Sequence, residues 1–415
     1  MNTTAPRAPA AGAMGAAIAE RLAQLAGVSD EAGALTRLYL SPAHRRAAEI
    51  VINWMREAGM TARIDAVGNV VGRREAAGKG AKTLILGSHI DTVRDAGAYD
   101  GNLGVVTAIE VVGALKGQAL SFAIEVAAFG DEEGVRFASA LGGSRALAGA
   151  FDPAILDERD AEGISRRDAL AAFGCDPGRI AEEARAAEDV IGYVEVHIEQ
   201  GPVLEAENRP VGVVTGISGA CRGVARVVGT SAHAGATPMS LRRDALVAAG
   251  LMIAAVEARA RLDPDLVATV GRLDIAHAAA NTIPGAVSFT LDIRASDDEV
   301  RRAAARDIAA RIRDIADARG LAAQVELGYE APFARCDARL SDALAASIAH
   351  VGLDVRRLPS GAGHDAMAFK DRAPFAMLFV RCKAGVSHNP AEYASPQDID
   401  VGARVLLDFV KRLAP

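Results

Sequence analysis

Gly87-Ser88-His89-Ile90-Asp91-Thr92-Val93, followed by Ala98-Tyr99-Asp100-Gly101-Asn102, is the stretch around which this chain is organised. The apolar run leading into it, Thr83-Leu84-Ile85-Leu86, reads as a buried strand. The strand ends on a histidine, an aspartate stands two residues on, and Asp100 precedes a helix-like segment. Open α/β sheets place their sites at the carboxyl ends of such strands. The stretch therefore reads as half of a metal centre. Taken alone, Asp100 reads equally well as a helix N-cap.

The rest of the chain supplies candidates for the other half. Phe122–Phe129 reads as another apolar strand, and it ends in Gly130-Asp131-Glu132-Glu133-Gly134. Tyr193–His197 alternates as a strand and runs into Ile198-Glu199-Gln200-Gly201-Pro202. Near the carboxyl end come Ser360-Gly361-Ala362-Gly363-His364-Asp365, a strand over Phe375–Val380, and Gly385-Val386-Ser387-His388-Asn389-Pro390. Helices are expected over 14–27, from Ser41-Pro42 (N-cap and first turn) to a stop at Gly59, over Leu103–Leu115, and over 397–413. Thr61–Gly72 reads as a hairpin around Gly68-Asn69, and residues 152–190 as polar and helix-rich.

Between these segments the pattern changes. It reads as strand 222–229, helix 242–260, strands 266–274 and 286–294, helix 297–319 and strand 322–328. That is the β-α-β-β-α-β order of a ferredoxin-like domain. The fold expected is α/β: a discontinuous catalytic domain, 1–212 and 332–415, with an α+β insertion at 213–331.

With 415 residues the chain is long enough for two or three domains, and its net charge of −7 argues against a nucleic-acid surface. Four widely spaced cysteines suggest a reducing compartment rather than disulfides or a zinc ribbon. The Ala-rich amino terminus, with Arg7 its sole early cation, reads as amphipathic rather than as a signal sequence. No apolar stretch reaches the ~18 residues of a membrane span, and the chain reads as cytoplasmic. A serine-hydrolase elbow and a dinucleotide fingerprint are both missing.

His89, Asp100, Glu133, His197 and His388 form a mixed imidazole and carboxylate set that suits zinc, manganese, cobalt or nickel. Two metals sharing a carboxylate would lower the pKa of water held between them. In the pair Glu132-Glu133, one carboxylate can bind metal while the other moves a proton to the leaving nitrogen. Asp91 is placed to hold a ligand imidazole in its metal-binding tautomer. Each feature has a plainer reading: a strand-end His-x-Asp is commonly a structural pair, and Glu-Glu commonly opens a solvated helix. His44, His277 and His350 read as structural or solvated. Arg294 shares one face of its strand with Thr290 and Asp292, so it can offer a planar fork to a carboxylate or simply pair with Asp292.

The motifs GSHIDTV, AYDGNLGV, DEEGVRF, VHIEQGPVLE, SAHAGATPM, RRDAL, NTIPG, SGAGHDAMA and GVSHNP resemble those of the hydantoinase/carbamoylase amidohydrolases, within the aminoacylase and dimetal-exopeptidase superfamily. The resemblance covers essentially the whole chain. It implies two divalent ions per subunit (Zn, Mn, Ni or Co), with His89, Asp100 and His197 as ligands, Asp100 bridging, and Glu133 and His388 completing the ligands of the second metal. It implies Glu132 as general base and His233 as oxyanion stabiliser. Gln200, Arg222, Asn281, Arg294 and His364 fall on substrate-contacting positions. It further implies a homodimer formed through the inserted domain, with His233 serving the partner's site. Ala236 departs from the commoner threonine of HAGTTPM. The reaction implied is hydrolysis of a ureido C–N bond in a small carboxylate. TRLYLSPAHRRAAE, WMREAGMTARIDAVGNVVGR and HIDTVRDAGAYDGNLG look most like the allantoate branch. N-carbamoyl-L-amino acids and 3-ureidopropionate are the alternatives, a dimetal aminoacylase or peptidase a more distant one, and an inactive binding protein the alternative from another class.

Overall fold

The structure, a computed structural model, describes residues 12–414; Arg7 and the rest of the amino-terminal reading lie outside them. The chain divides into two compact units, residues 1–215 with 335–415, and residues 216–334.

The first unit is built on a mixed sheet with strand order Thr61–Ile64, Val70–Arg74, Ala123–Phe129, Thr83–His89, Val190–Ile198, Phe375–Val380, Val211–Ile217. The four strands 123–129, 83–89, 190–198 and 375–380 run parallel to one another. The flanking strands are antiparallel. Parallel strands covered on both faces are apolar throughout, and every residue of Thr83–His89, Ala123–Phe129 and Phe375–Val380 is buried. Val190–Ile198 is also buried at every position, so its alternation marks no solvent face; Tyr193 and Glu195 lie inside. Helices Ala13–Ala26, Asn102–Ala114 and Pro396–Arg412 pack together over the sheet. Because the four central strands share one direction, the loops after His89, Phe129, Ile198 and Val380 leave from one edge. That is the arrangement which gathers the candidate ligands.

Local chemistry fixes the ends. Ser41 caps helix Pro42–Glu57 by accepting from the His44 amide, and Gly59 follows it with φ 88°. His44, read as structural or solvated, is fully buried. Asp100 is not the cap of its helix: that role falls to Gly101, which has φ 65° and no side chain to cap with. Residues 152–190 form short turns and the helix Arg166–Ala172, opened by Asp152, Ser165 and Asp176 as side-chain caps.

In the second unit a sheet of antiparallel strands is backed by helices Ala245–Ala260 and Asp298–Ala318. Ala286–Ala295 pairs with Gly219–Val228, which pairs in turn with Ala322–Ala331. The strand expected over 266–274 is two pieces, Leu266–Thr269 and Leu273–Ile275, both along Ala286–Ala295. At Gly271 the ladder breaks, and the Arg272 amide bonds the Thr290 hydroxyl at 3.1 Å. The first helix starts at Ala245 rather than 242, because the Asp244 side chain accepts from Leu246 and Val247 and stops it there. In Ala286–Ala295 buried and half-buried residues alternate, with Phe289, Leu291 and Ile293 inward. Among the described residues no helix is long and apolar enough to cross a membrane.

Gly104 sets how closely helix Asn102–Ala114 lies on the sheet. A Cβ there would stand 2.2 Å from the Val196 carbonyl and 2.8 Å from Ser88 Cβ. Gly104→Val should lower stability by about 1–3 kcal/mol or more, read as a lower denaturation midpoint at unchanged m-value.

Candidate metal centre

The loops at the sheet edge bring four of the expected side chains, His89, His197, His388 and Glu133, around Asp100. His89 Nε2 lies 3.4 Å and His197 Nε2 3.0 Å from Asp100 Oδ1. His388 Nε2 lies 3.2 Å from Oδ2 of the same carboxylate and 3.6 Å from Glu133 Oε2. Among the described residues two candidate ligand groups share Asp100, His89–Asp100–His197 and Asp100–Glu133–His388; two more, His89–Glu132–Glu133 and Glu195–His197–His364, adjoin them. His89, His197 and Asp100 are buried, whereas His388 is exposed and Glu132 and Glu133 are half-buried. The site is thus closed at one group and open at the other.

The hydrogen bonds fit these residues to a cation. His89 Nδ1 faces the Asp91 carbonyl at 3.0 Å, and His197 Nδ1 faces the Ile198 carbonyl at 2.9 Å. A carbonyl accepts only, so each Nδ1 carries a hydrogen, and in the neutral ring Nε2 presents the lone pair. Each Nε2 points at a carboxylate oxygen, so a positive charge belongs there: a second proton on the ring, which then donates to Asp100, or a metal ion that takes the lone pair in its place. Burial works to raise the pKa of Asp100, but bonds to His197, His388 and His89 outweigh it and hold the carboxylate well below its usual range. Burial, reinforced by the charge of Asp100, pushes Glu133 up to about 7. Burial also holds Glu132 well above the usual carboxylate range, a tuning suited to a group that takes up and releases a proton.

Asp91 does not act as expected. Its backbone carbonyl, not its side chain, fixes the His89 tautomer; the nearer carboxylate oxygen is 3.7 Å from Nδ1. The carboxylate instead accepts from the amides of Glu132 and Glu133, each at 3.2 Å, and so holds the acid turn.

Sequence reasoning passed over several supports. Glu392 accepts from the amides of Tyr99 (2.7 Å) and Asp100 (2.9 Å), fixing the backbone of the central aspartate. Ser387 Oγ lies 2.9 Å from Asp100 Oδ2 and 3.1 Å from Glu392 Oε2, with its one hydrogen to give to either carboxylate. Ser387 lies inside GVSHNP and Glu392 just beyond it, so that motif was the available signal. Arg37, fully buried, donates to the Ile90 carbonyl (2.6 Å) and to Asn102 Oδ1 (2.7 Å), and thereby ties the residue after His89 to the start of the Asn102 helix. Burial lowers its pKa to about 10, so it stays charged at neutral pH.

The expected substrate residues divide. Gln200, with φ 54°, donates through Nε2 to Asp100 Oδ2 (2.8 Å) and to Ser387 Oγ (2.9 Å). His364 is buried, its Nε2 2.7 Å from Ser360 Oγ and its ring 4.4 Å from that of His197. Burial and then His197 push its pKa well below the usual value.

The other four lie in the second unit. His233 is exposed on the short strand Ala232–His233, opposite Thr282. The Gly235 amide donates to His233 Nδ1 at 3.2 Å, which leaves Nε2–H as a free-standing donor. Asn281 is beside it, its carbonyl accepting from the Ala234 amide at 2.8 Å. Arg222 and Arg294 both pair with Asp292, at 2.9 Å and 2.7 Å.

A model of peptidase family M20/M25/M40 matches residues 85–412. The chain is 42% identical over 398 residues to an N-carbamoyl-L-amino acid amidohydrolase of Geobacillus stearothermophilus, covering 95% of this chain and 97% of that protein. It is 40% identical over 425 residues to an allantoate deiminase of Arabidopsis thaliana, covering 94% of this chain and 81% of that protein. A solved hydantoinase/carbamoylase family amidase from Burkholderia ambifaria has a TM-score of 0.89 at 37% identity, covering 95% of this chain and 96% of that one.

Because Asp91 holds the acid turn rather than an imidazole, Asp91→Ala should weaken metal binding by about 10–100-fold. Titration of the metal-free protein would show it, and unchanged far-ultraviolet circular dichroism would separate the effect from unfolding.

Proposed function

The chain belongs to peptidase family M20/M25/M40 as a hydantoinase/carbamoylase-type amidase, a metal-dependent hydrolase of non-peptide carbon–nitrogen bonds in linear amides, and from that premise we propose a ureido carboxylate as its substrate, allantoate first. The observation that carries this reading is the pair of ligand groups sharing Asp100, with half-buried Glu132 beside the open one.

In this reading His89, Asp100 and His197 hold one divalent ion, and Asp100, Glu133 and His388 a second. When bound, such ions supply Lewis-acid polarisation and acidify water. Glu132 takes the proton of the attacking water and passes it to the leaving nitrogen. The overall balance is one water consumed, with ammonia, carbon dioxide and an amine released. His233 Nε2–H donates to the developing oxyanion, while Gln200 and His364 contact the ureido end. Arg222, Asn281 and Arg294 receive the carboxylate, the arginines exchanging Asp292 for substrate.

The second unit serves as lid and dimerisation domain of a cytoplasmic homodimer. Its edge strand Ala322–Ala331 supports this, exposing Leu327 and Tyr329; an exposed apolar edge is a liability unless a partner covers it. Nucleic acid and membrane are not partners in this reading, in keeping with the net charge of −7. N-carbamoyl-L-amino acids are the second reading, favoured by the 42% identity to a hydrolase of that name; 3-ureidopropionate is the third.

An ammonia-release assay over allantoate, several N-carbamoyl-L-amino acids and 3-ureidopropionate, each with manganese, zinc and nickel, decides among them. Allantoate should give the highest kcat/KM; a higher value for an N-carbamoyl-L-amino acid would move the assignment to that branch. Glu132→Gln should lower kcat by about 10²–10⁴-fold with metal content unchanged by elemental analysis. Activity retained within about tenfold would remove the general-base role.

A further inference from the structure

The acid turn carrying Glu132 and Glu133 is held from two sides. Asp91 accepts the two amides on one side. On the other, Asp131 adopts φ 69°, a left-handed conformation that aspartate tolerates better than most residues and that its partners here stabilise.

What stabilises it comes from the segment that sequence reading leaves almost blank. Arg166, with 0% exposure, closes its Nη1 on Asp131 Oδ2. Its Nη2 donates to the Ser139 carbonyl (2.8 Å) and to Glu158 Oε2 (3.1 Å). Glu158 in turn accepts from the Ser139 amide at 3.1 Å. The guanidinium lies 4.6 Å from the centre of the Phe137 ring. One planar fork therefore joins both ends of the 131–139 loop, a geometry a lysine ammonium cannot reproduce in full. The space is closed around it: a Cβ on Gly142 would stand 2.8 Å from both Arg166 Nη1 and Asp131 Oδ2.

We propose that Arg166 is a positioning residue for this chain's reaction: acting through Asp131 and the Ser139 carbonyl, it holds Glu132 and Glu133 against Asp91, and so sets cation affinity at Asp100–Glu133–His388 and the reach of Glu132. The proposal rests on the metallohydrolase reading of those residues.

The test uses the full-length protein as Arg166→Met, Arg166→Lys and the double variant Asp131→Asn/Arg166→Met. The double variant removes both buried charges, because leaving one unpaired is itself strongly destabilising. Arg167→Ala is the control, an exposed neighbour paired with Asp157 at 3.5 Å. Each is titrated with Mn²⁺ after metal removal, melted thermally, and assayed for kcat and KM on the best ureido substrate. Folded Arg166→Met and the double variant should bind the weaker Mn²⁺ about tenfold less tightly or worse. Their kcat should drop about tenfold or more with KM within about threefold, while Arg166→Lys recovers part of both losses and Arg167→Ala matches wild type. Wild-type Mn²⁺ affinity and kcat in a folded Arg166→Met or double variant, whatever the melting temperature, would overturn the proposal. Should neither fold, Arg166→Lys decides alone: losses in both readouts support the proposal, and wild-type values overturn it. A wild-type protein inactive on every ureido compound would remove the substrate reading, while the Mn²⁺ titrations would still judge Arg166.

Discussion

The site depends on one carboxylate facing three imidazoles. Asp100 meets His89 and His197 through one oxygen and His388 through the other, and every other arrangement at the sheet edge serves that geometry. Taking away one partner of a buried hydrogen-bonded charge group costs roughly 3–5 kcal/mol, so the carboxylate must be held from several directions. Glu392 holds its backbone, Gln200 and Ser387 hold the oxygen that faces His388, and Gly101 leaves room for the His89 ring, from which a Cβ would be 2.4 Å away. Two backbone carbonyls set both inner tautomers. The protein thus spends main-chain groups on orientation and keeps its side chains for the reacting space.

Much of this was legible in the sequence, and the reason is physical. Strands buried on both faces must be apolar, so Thr83–Leu86 and Phe375–Val380 declare themselves, and a polar residue at the end of such a run has few reasons to be there. Hence the convergence of His89, Asp100, Glu133, His197 and His388 could be anticipated. The ferredoxin-like order of the second unit was equally plain from the spacing of its apolar runs.

What stayed hidden belongs to groups that a sequence does not display. The carbonyl of Asp91 carries no letter, so the tautomer-setting role went to its side chain. Glu392 meets Asp100 across 292 positions, and no local pattern encodes that contact. Asp100 looked like a cap because the glycine after it, which takes the cap position with φ 65°, offers no side chain to announce itself. Arg166 sits in a stretch whose short helix and 3₁₀ turns show no apolar period. The break at Gly271 had a signal, the glycine itself, but alternation on either side argued for one continuous strand.

The place of Phe375–Val380 in the sheet has a consequence for synthesis. It fills the slot between Val190–Ile198 and Val211–Ile217, yet it emerges only after the whole second unit. At roughly 5–20 residues per second, Val190–Ile198 waits on the order of ten seconds or more with one edge lacking its neighbour. During that interval the nascent chain carries an open apolar edge of the sort that recruits foreign strands. The inserted unit, which is compact and has a hydrophobic core of its own, can fold meanwhile. Arrival of the last strand then fills the gap in the sheet and is followed by His388, so the site becomes complete only after the inserted unit has been made.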